Sequence, residues 1–251
     1  MSRSPILKAL SSIRKSGART LLMGGQACVF YGAAEFSRDL DLLILADPAN
    51  LERLRTALAD LEAKPIAVPR LDIEFLEKGH GVHFRCHRAD VTGLRIDLMS
   101  RYRGGASFED LWSRRTTIEV DGEPVELLAL EDLVEAKKTQ CDKDWPMIAR
   151  LMERSYLTRG QKSSRASVEF WLRELRTPGL LCELAEAQAT VAGELVRTRP
   201  AIAAALTADT VETARALAEE EFEEKRKDRE FWGPLKLEIE QLRRNGRNQK
   251  L

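Results

Sequence analysis

Two aspartates one residue apart, Asp39 and Asp41 in Ser37-Arg38-Asp39-Leu40-Asp41, are the strongest chemical signal in this chain. The apolar run Leu42–Leu45 that follows them suits a buried strand. Side chains on a strand alternate with a period of two, so both carboxylates project from one face. A like-charged pair on a mostly buried strand repels itself and loses solvation, and a divalent cation between the two would relieve both costs. A solvated pair at a strand end is the plainer reading, but it leaves the glycines upstream, Gly24 and Gly25, unexplained.

A third carboxylate falls in another strand pattern. Leu94, Ile96 and Leu98 alternate with Arg95, Asp97 and Met99 over Leu94–Ser100, which puts Asp97 in mid-strand among apolar neighbours. An acid there needs a partner. One candidate is a salt bridge with Arg85 or Arg95 across charged strand faces. The other is a shared metal site with Asp39 and Asp41. The three histidines, His80, His83 and His87, lie with Cys86 in one short run, which invites a zinc reading. If Val82–His87 is a strand, Cys86 points away from His83 and His87, so the spacing argues against zinc. Contact of one or two of these histidines with a substrate is the alternative use.

The stretch LLMGGQACVFYGAAEFSRDLDLLIL, Leu21–Leu45, resembles the first motif of the nucleotidyltransferase superfamily built on the DNA polymerase β fold. That motif is Gly-Gly or Gly-Ser, a helix, then Asp-x-Asp. The form FSRDLDLLI looks most like the AbiEii-type nucleotidyltransferases of toxin–antitoxin and phage-defence systems. The resemblance implies an enzyme that transfers NMP from an NTP to an acceptor hydroxyl, on a tRNA or other RNA end or on a protein. It implies two magnesium (or manganese) ions on Asp39 and Asp41, with Asp97 as the third metal-binding carboxylate. Gly24, Gly25, Ser37 and Arg38 would hold the triphosphate. These roles make physical sense: oxygen-only ligands suit magnesium, and backbone lacking Cβ can approach a phosphate closely. The block LLALEDLVEAKKTQCDKDWPMIARLME is similar to the family's last motif, with Lys137 and Lys138 near its lysine and Asp142 and Asp144 on its acidic positions. It departs by having Cys141 in place of arginine and Met147 in place of aspartate. For the lysines the plain alternative is a solvated helix face, and for Asp144 an N-cap before Trp145-Pro146.

The elements that would position these groups read clearly. Ile6, Leu7, Leu10 and Ile13 recur at helical spacing, with Gly17 placed to stop that helix. Leu21–Met23 reads as a strand and Gln26 to about Ala34 as a helix. Asp47-Pro48 starts a helix carrying the apolar stripe Leu51, Leu54, Leu58 and Leu61. A short strand over Lys64–Pro69 and a helix over Asp72–Lys78, stopped by Gly79, follow. Ser107–Arg114 opens with a capping box, and Thr116–Val120 and Val125–Leu128 flank a hairpin turn at Asp121-Gly122. After a polar linker, Thr158–Ser164, the chain reads as helical, ending in a basic, frayed tail, Arg243–Lys250. The expected fold is α/β (α+β): a nucleotidyltransferase-type mixed sheet flanked by helices over 1–156, then an all-α C-terminal domain over 157–251.

Composition narrows the function without choosing it. The 251 residues are 32% charged and 43% hydrophobic, with zero net charge. Up to Tyr156 there are 23 Lys/Arg against 24 Asp/Glu, and after it 17 against 16, so neither part is a basic nucleic-acid-binding domain. Cys28, Cys86, Cys141 and Cys182 form no CxxC pair, and with no signal peptide they read as reduced thiols of a cytoplasmic protein. The competing expectations are a non-catalytic nucleotide-binding or protein-interaction module on the same fold, or a helical interaction protein. An antitoxin partner would accompany the toxin reading.

Overall fold

The apolar run that closes the Asp-x-Asp motif becomes the middle strand of the sheet. Leu40, Leu42, Leu43 and Ile44 are fully buried, while Asp39 and Asp41 are only partly so. Alternation therefore holds at the start of this strand and gives way to burial on both faces at its end. The two acids sit where one face of the sheet opens.

The computed structural model describes residues 4–159 and 163–248. In chain order the elements are α1 (Pro5–Lys15), β1 (Thr20–Met23), α2 (Gly24–Phe30), β2 (Asp39–Ile44), α3 (Pro48–Asp60), β3 (Lys64–Pro65), α4 (Ile73–Lys78), β4 (Val82–Arg85), β5 (Arg95–Met99), α5 (Phe108–Ser113), β6 (Thr116–Val120), β7 (Glu123–Leu127) and α6 (Leu130–Ala136). The helical region follows: α7 (Asp144–Arg159), α8 (Arg165–Glu174), α9 (Pro178–Ala187), α10 (Ala189–Leu195), α11 (Ala201–Leu206) and α12 (Thr210–Asn248). The sheet has seven strands in the order β3-β4-β5-β2-β1-β7-β6. It is mixed: β2 runs parallel to β5 and β1 parallel to β7, while the remaining neighbours are antiparallel. Helices flank it, and its core includes the α3 stripe Leu51, Leu54, Leu58 and Leu61, each buried.

Local signals explain most boundaries. Asp47 accepts the Asn50 amide at the start of α3, Ser107 accepts that of Asp110 at α5, and Gly79 ends α4 in a left-handed turn with φ +102°. Other boundaries differ from the sequence expectation. The helix after the glycines is shorter, Gly24–Phe30 rather than Gln26 to Ala34, and the chain turns at Gly32 with φ +74°. The expected strand over Lys64–Pro69 pairs only at Lys64 and Pro65, and β4 ends at Arg85, before Cys86 and His87. Prolines 65 and 69 cannot donate to a ladder, which limits the first of these.

Two compact units form within the described residues. One comprises 4–30, 34–136 and 231–248, the other 31–33 and 137–230. The division thus falls at 136/137 rather than after Tyr156. Helix α7 belongs with the helices that follow it: the Trp171 indole donates to Ser155 Oγ at 3.0 Å and packs edge-on against Tyr156. Helix α12 contributes to both units. Part of the expected linker, 160–162, and the last two positions of the expected frayed tail, 249 and 250, lie outside the described residues, while 243–248 continue α12.

Candidate functional site

Strand pairing, not sequence proximity, assembles the acids. Across β2 and β5 the register pairs Asp41 with Asp97 and Asp39 with Arg95. Across β5 and β4 it pairs Asp97 with His83 and Arg95 with Arg85. Asp41, Asp97 and His83 therefore form one lateral row on the partly open sheet face, and Asp39, Arg95 and Arg85 the next. This places the three predicted carboxylates together.

The glycine pair makes room for this row. A Cβ at Gly24 would lie 2.0 Å from Asp41 Oδ2, and one at Gly25 would lie 2.8 Å from Ser37 Oγ. Gly24 also has φ +66°, a conformation that costs other residues strain. The missing side chains are thus where Asp41 and Ser37 rest. Ser37 Oγ donates to the Asp39 carbonyl at 3.2 Å, which fixes the turn into β2. Arg38 is exposed, its guanidinium 5.9 Å from the ring of Phe36, itself 68% exposed.

Asp97 is held on two sides. Its Oδ1 accepts from Arg95 Nε at 2.8 Å and lies 2.8 Å from His83 Nδ1. Its side chain is 13% exposed and that of His83 29%. Arg95 also approaches His83 Nδ1 at 3.2 Å. A single ring nitrogen cannot donate to Asp97 and accept from Arg95 at once, so the shorter, charge-assisted contact assigns the hydrogen to Nδ1. His83 Nε2 then faces the space beside Gly81, where a Cβ would stand 3.7 Å away. Burial pushes the Asp97 carboxyl up, but the hydrogen bonds and charges of His83 and Arg95 outweigh it and hold the group below its ordinary value. The hydrogen bond to Asp97 raises the Arg95 guanidinium, and the charges of Asp97, Asp39 and Asp41 add to that.

Of the two partners weighed for Asp97, the structure supplies Arg95, while Arg85 is exposed. The pairing of His83 with Asp97 rests on the β4–β5 register, which cannot be counted along the chain. The other histidine contact lies elsewhere in the same unit, where His80 Nε2 is 2.9 Å from Glu238 Oε2.

Lys137, Lys138 and Asp144 belong to the helical unit. Lys137 Nζ donates to Asp144 Oδ1 at 2.6 Å, Thr139 Oγ1 donates to Asp144 Oδ2 at 2.6 Å, and Lys138 Nζ donates to Glu174 Oε1 at 2.8 Å. Asp144 is the first residue of α7.

The donor set can be tested against magnesium. Among the described residues no group of three or more His, Cys, Asp or Glu is arranged to hold a metal ion. Magnesium, however, is commonly held by one or two carboxylates with the remaining positions filled by water and substrate phosphates. Asp39 and Asp41 fit that pattern. Asp97 shares Oδ1 between a guanidinium and an imidazole, so it would offer an ion Oδ2 beside a fixed positive charge.

No protein-family model matches this chain, and no curated protein matches it significantly. Among solved structures it is similar to an antigenic nucleotidyltransferase-like protein from Paracoccidioides brasiliensis, at 17% identity and a TM-score of 0.40, over 80% of this chain and 90% of that one.

Proposed function

We propose that the chain is a metal-dependent nucleotidyltransferase of the AbiEii type, transferring NMP from an NTP to an acceptor hydroxyl on an RNA end or a protein. The observation that carries this reading is the row Asp41–Asp97–His83, with Asp39 beside it and Asp41 resting against Gly24. Asp39 and Asp41 would hold magnesium or manganese. When bound, the ion would neutralise triphosphate charge and favour departure of pyrophosphate. Gly24, Gly25, Ser37 and Arg38 would line the triphosphate. Asp97, kept ionised through the neutral range and oriented by His83 and Arg95, would take the acceptor proton as the acceptor oxygen bonds to the α-phosphorus. A toxin role, a cytoplasmic setting and an antitoxin partner extend the same reading.

The test uses labelled NTPs, magnesium or manganese, and a cell extract supplying acceptors. Wild type should label a component of the extract, and Asp39→Asn with Asp41→Asn should label none. Metal plus NTP should raise the melting temperature of wild type and not of the double variant. Binding without labelling under any NTP would favour a non-catalytic nucleotide-binding module, the reading that the ion-paired state of Asp97 also suits.

A further inference from the structure

We infer that this sheet face takes one divalent cation rather than two, and that the Arg95 guanidinium supplies at Asp97 the positive charge a second ion would bring. The inference rests on the nucleotidyltransferase reading and departs from the two-ion site which that resemblance implies. Arg95 is the Cα partner of Asp39 across β2 and β5, and its Nε donates to Asp97 Oδ1 at 2.8 Å. It thus stands between the first carboxylate and the third. His83 reaches the same oxygen of Asp97 from β4, at 2.8 Å. A guanidinium cannot shed its charge in a protein and makes strong hydrogen bonds to carboxylates, so an ion binding at Asp97 would sit against a fixed cation.

Charge on the face points the same way. Among the sheet's own side chains in these two rows, three carboxylates face Arg95 and the exposed Arg85. Asp39, Asp41 and Asp97 all stabilise the charged form of Arg95, which places its guanidinium in the field of the whole cluster. With Arg95 set against Asp97 and the solvent-exposed Arg85 left aside, one divalent ion matches the formal charge of Asp39 and Asp41; a second beside Arg95 would leave an excess of positive charge. Two carboxylates with substrate phosphates are also a sufficient magnesium shell.

Equilibrium dialysis of the full chain against manganese tests this, with each of the four α,β-methylene nucleoside triphosphates as non-hydrolysable nucleotide. Wild type should bind one manganese per chain into the millimolar range. Arg95→Gln, which keeps a hydrogen-bond donor and removes the charge, should bind two. The second should bind at least about tenfold tighter than any further ion on wild type, as one close unit charge readily makes a tenfold difference. Two ions on wild type would overturn the inference without reference to the variant's folding. So would a folded Arg95→Gln chain, judged by circular dichroism, that still binds only one. If wild type binds no ion, and Asp39→Asn with Asp41→Asn behaves the same, the nucleotidyltransferase reading itself fails.

Discussion

Two clusters of charge in this molecule use the same residue types to opposite ends. In the helical unit, Arg199 is 5% exposed, and its guanidinium donates to Glu220 Oε2, Leu172 O and Leu175 O at 3.0, 2.7 and 2.8 Å. Arg176 donates to the other oxygen of Glu220 at 2.9 Å and to Leu217 O at 2.7 Å. Backbone carbonyls there, including ones at the end of α8, take up the donors that Glu220 leaves over. On the sheet face three carboxylates, Asp39, Asp41 and Asp97, lie in two adjacent rows around the one guanidinium that pairs with Asp97. A buried ionic cluster closed by backbone groups is scaffolding; one whose carboxylates cluster on a partly open strand face is the kind that the proposed function calls on.

The largest expected effect tests the sheet half of that contrast. Asp97→Asn should cut nucleotidyl transfer by roughly 10² to 10⁴, the usual scale of a lost proton acceptor. NTP affinity should stay within about tenfold. Equal labelling by wild type and variant would make Asp97 a structural ion-pair residue like those of the helical unit. Arg199→Ala should do the reverse: lose about 3–5 kcal/mol of stability, because one oxygen of Glu220 and two buried carbonyls lose their donor, while metal binding is unchanged. Denaturant titration beside manganese dialysis reads both, and altered metal binding would blur the division of labour.

Gly24→Ala should fall next. Its Cβ would run into Asp41, and φ +66° adds strain, so a stability loss of about 1–3 kcal/mol should come with a weaker response to metal. A stable variant with unaltered metal response would detach the glycine from the site. The smallest effect belongs to the contact of partly exposed Glu238 with Lys78 and the buried His80, in the same unit as the sheet. Hydrogen bonds from Lys78 and His80 hold Glu238 below its ordinary 4.5. Its contribution is therefore complete above pH 4.5 and is lost as pH falls through the lowered value. Melting curves of wild type and Glu238→Gln should differ slightly at neutral pH and converge in acid; a constant gap down to pH 3 would remove the pair from the stability balance.

Legibility in the sequence tracked the range of the interaction. The Asp-x-Asp face, the α3 stripe and the caps at Asp47, Ser107 and Gly79 are set by neighbours within about one helical turn or one strand, and they could be read directly. The pairing of Asp97 with His83 depends on how β4 slides against β5, and a shift of one residue would have turned His83 to the other face. The division at 136/137 was not legible because the Trp171 contacts that bind α7 to the later helices span a stretch that looks like a linker. Likewise, nothing local marks Arg199 as buried: its partners lie 21 to 27 positions away.

Asn50 carries a consequence for the chemical ageing of the protein. It is 1% exposed; its amide oxygen accepts the Arg19 N–H at 2.7 Å, and its amide nitrogen donates to the carbonyls of Arg19 and Leu45 at 3.1 and 2.9 Å. It stitches the start of β1 to the end of β2, behind the acids. Deamidation would turn that donor into a carboxylate facing two carbonyl oxygens. Protein stored long enough to deamidate there would lose its grip on the central strand pair while every residue of the candidate site remained chemically intact.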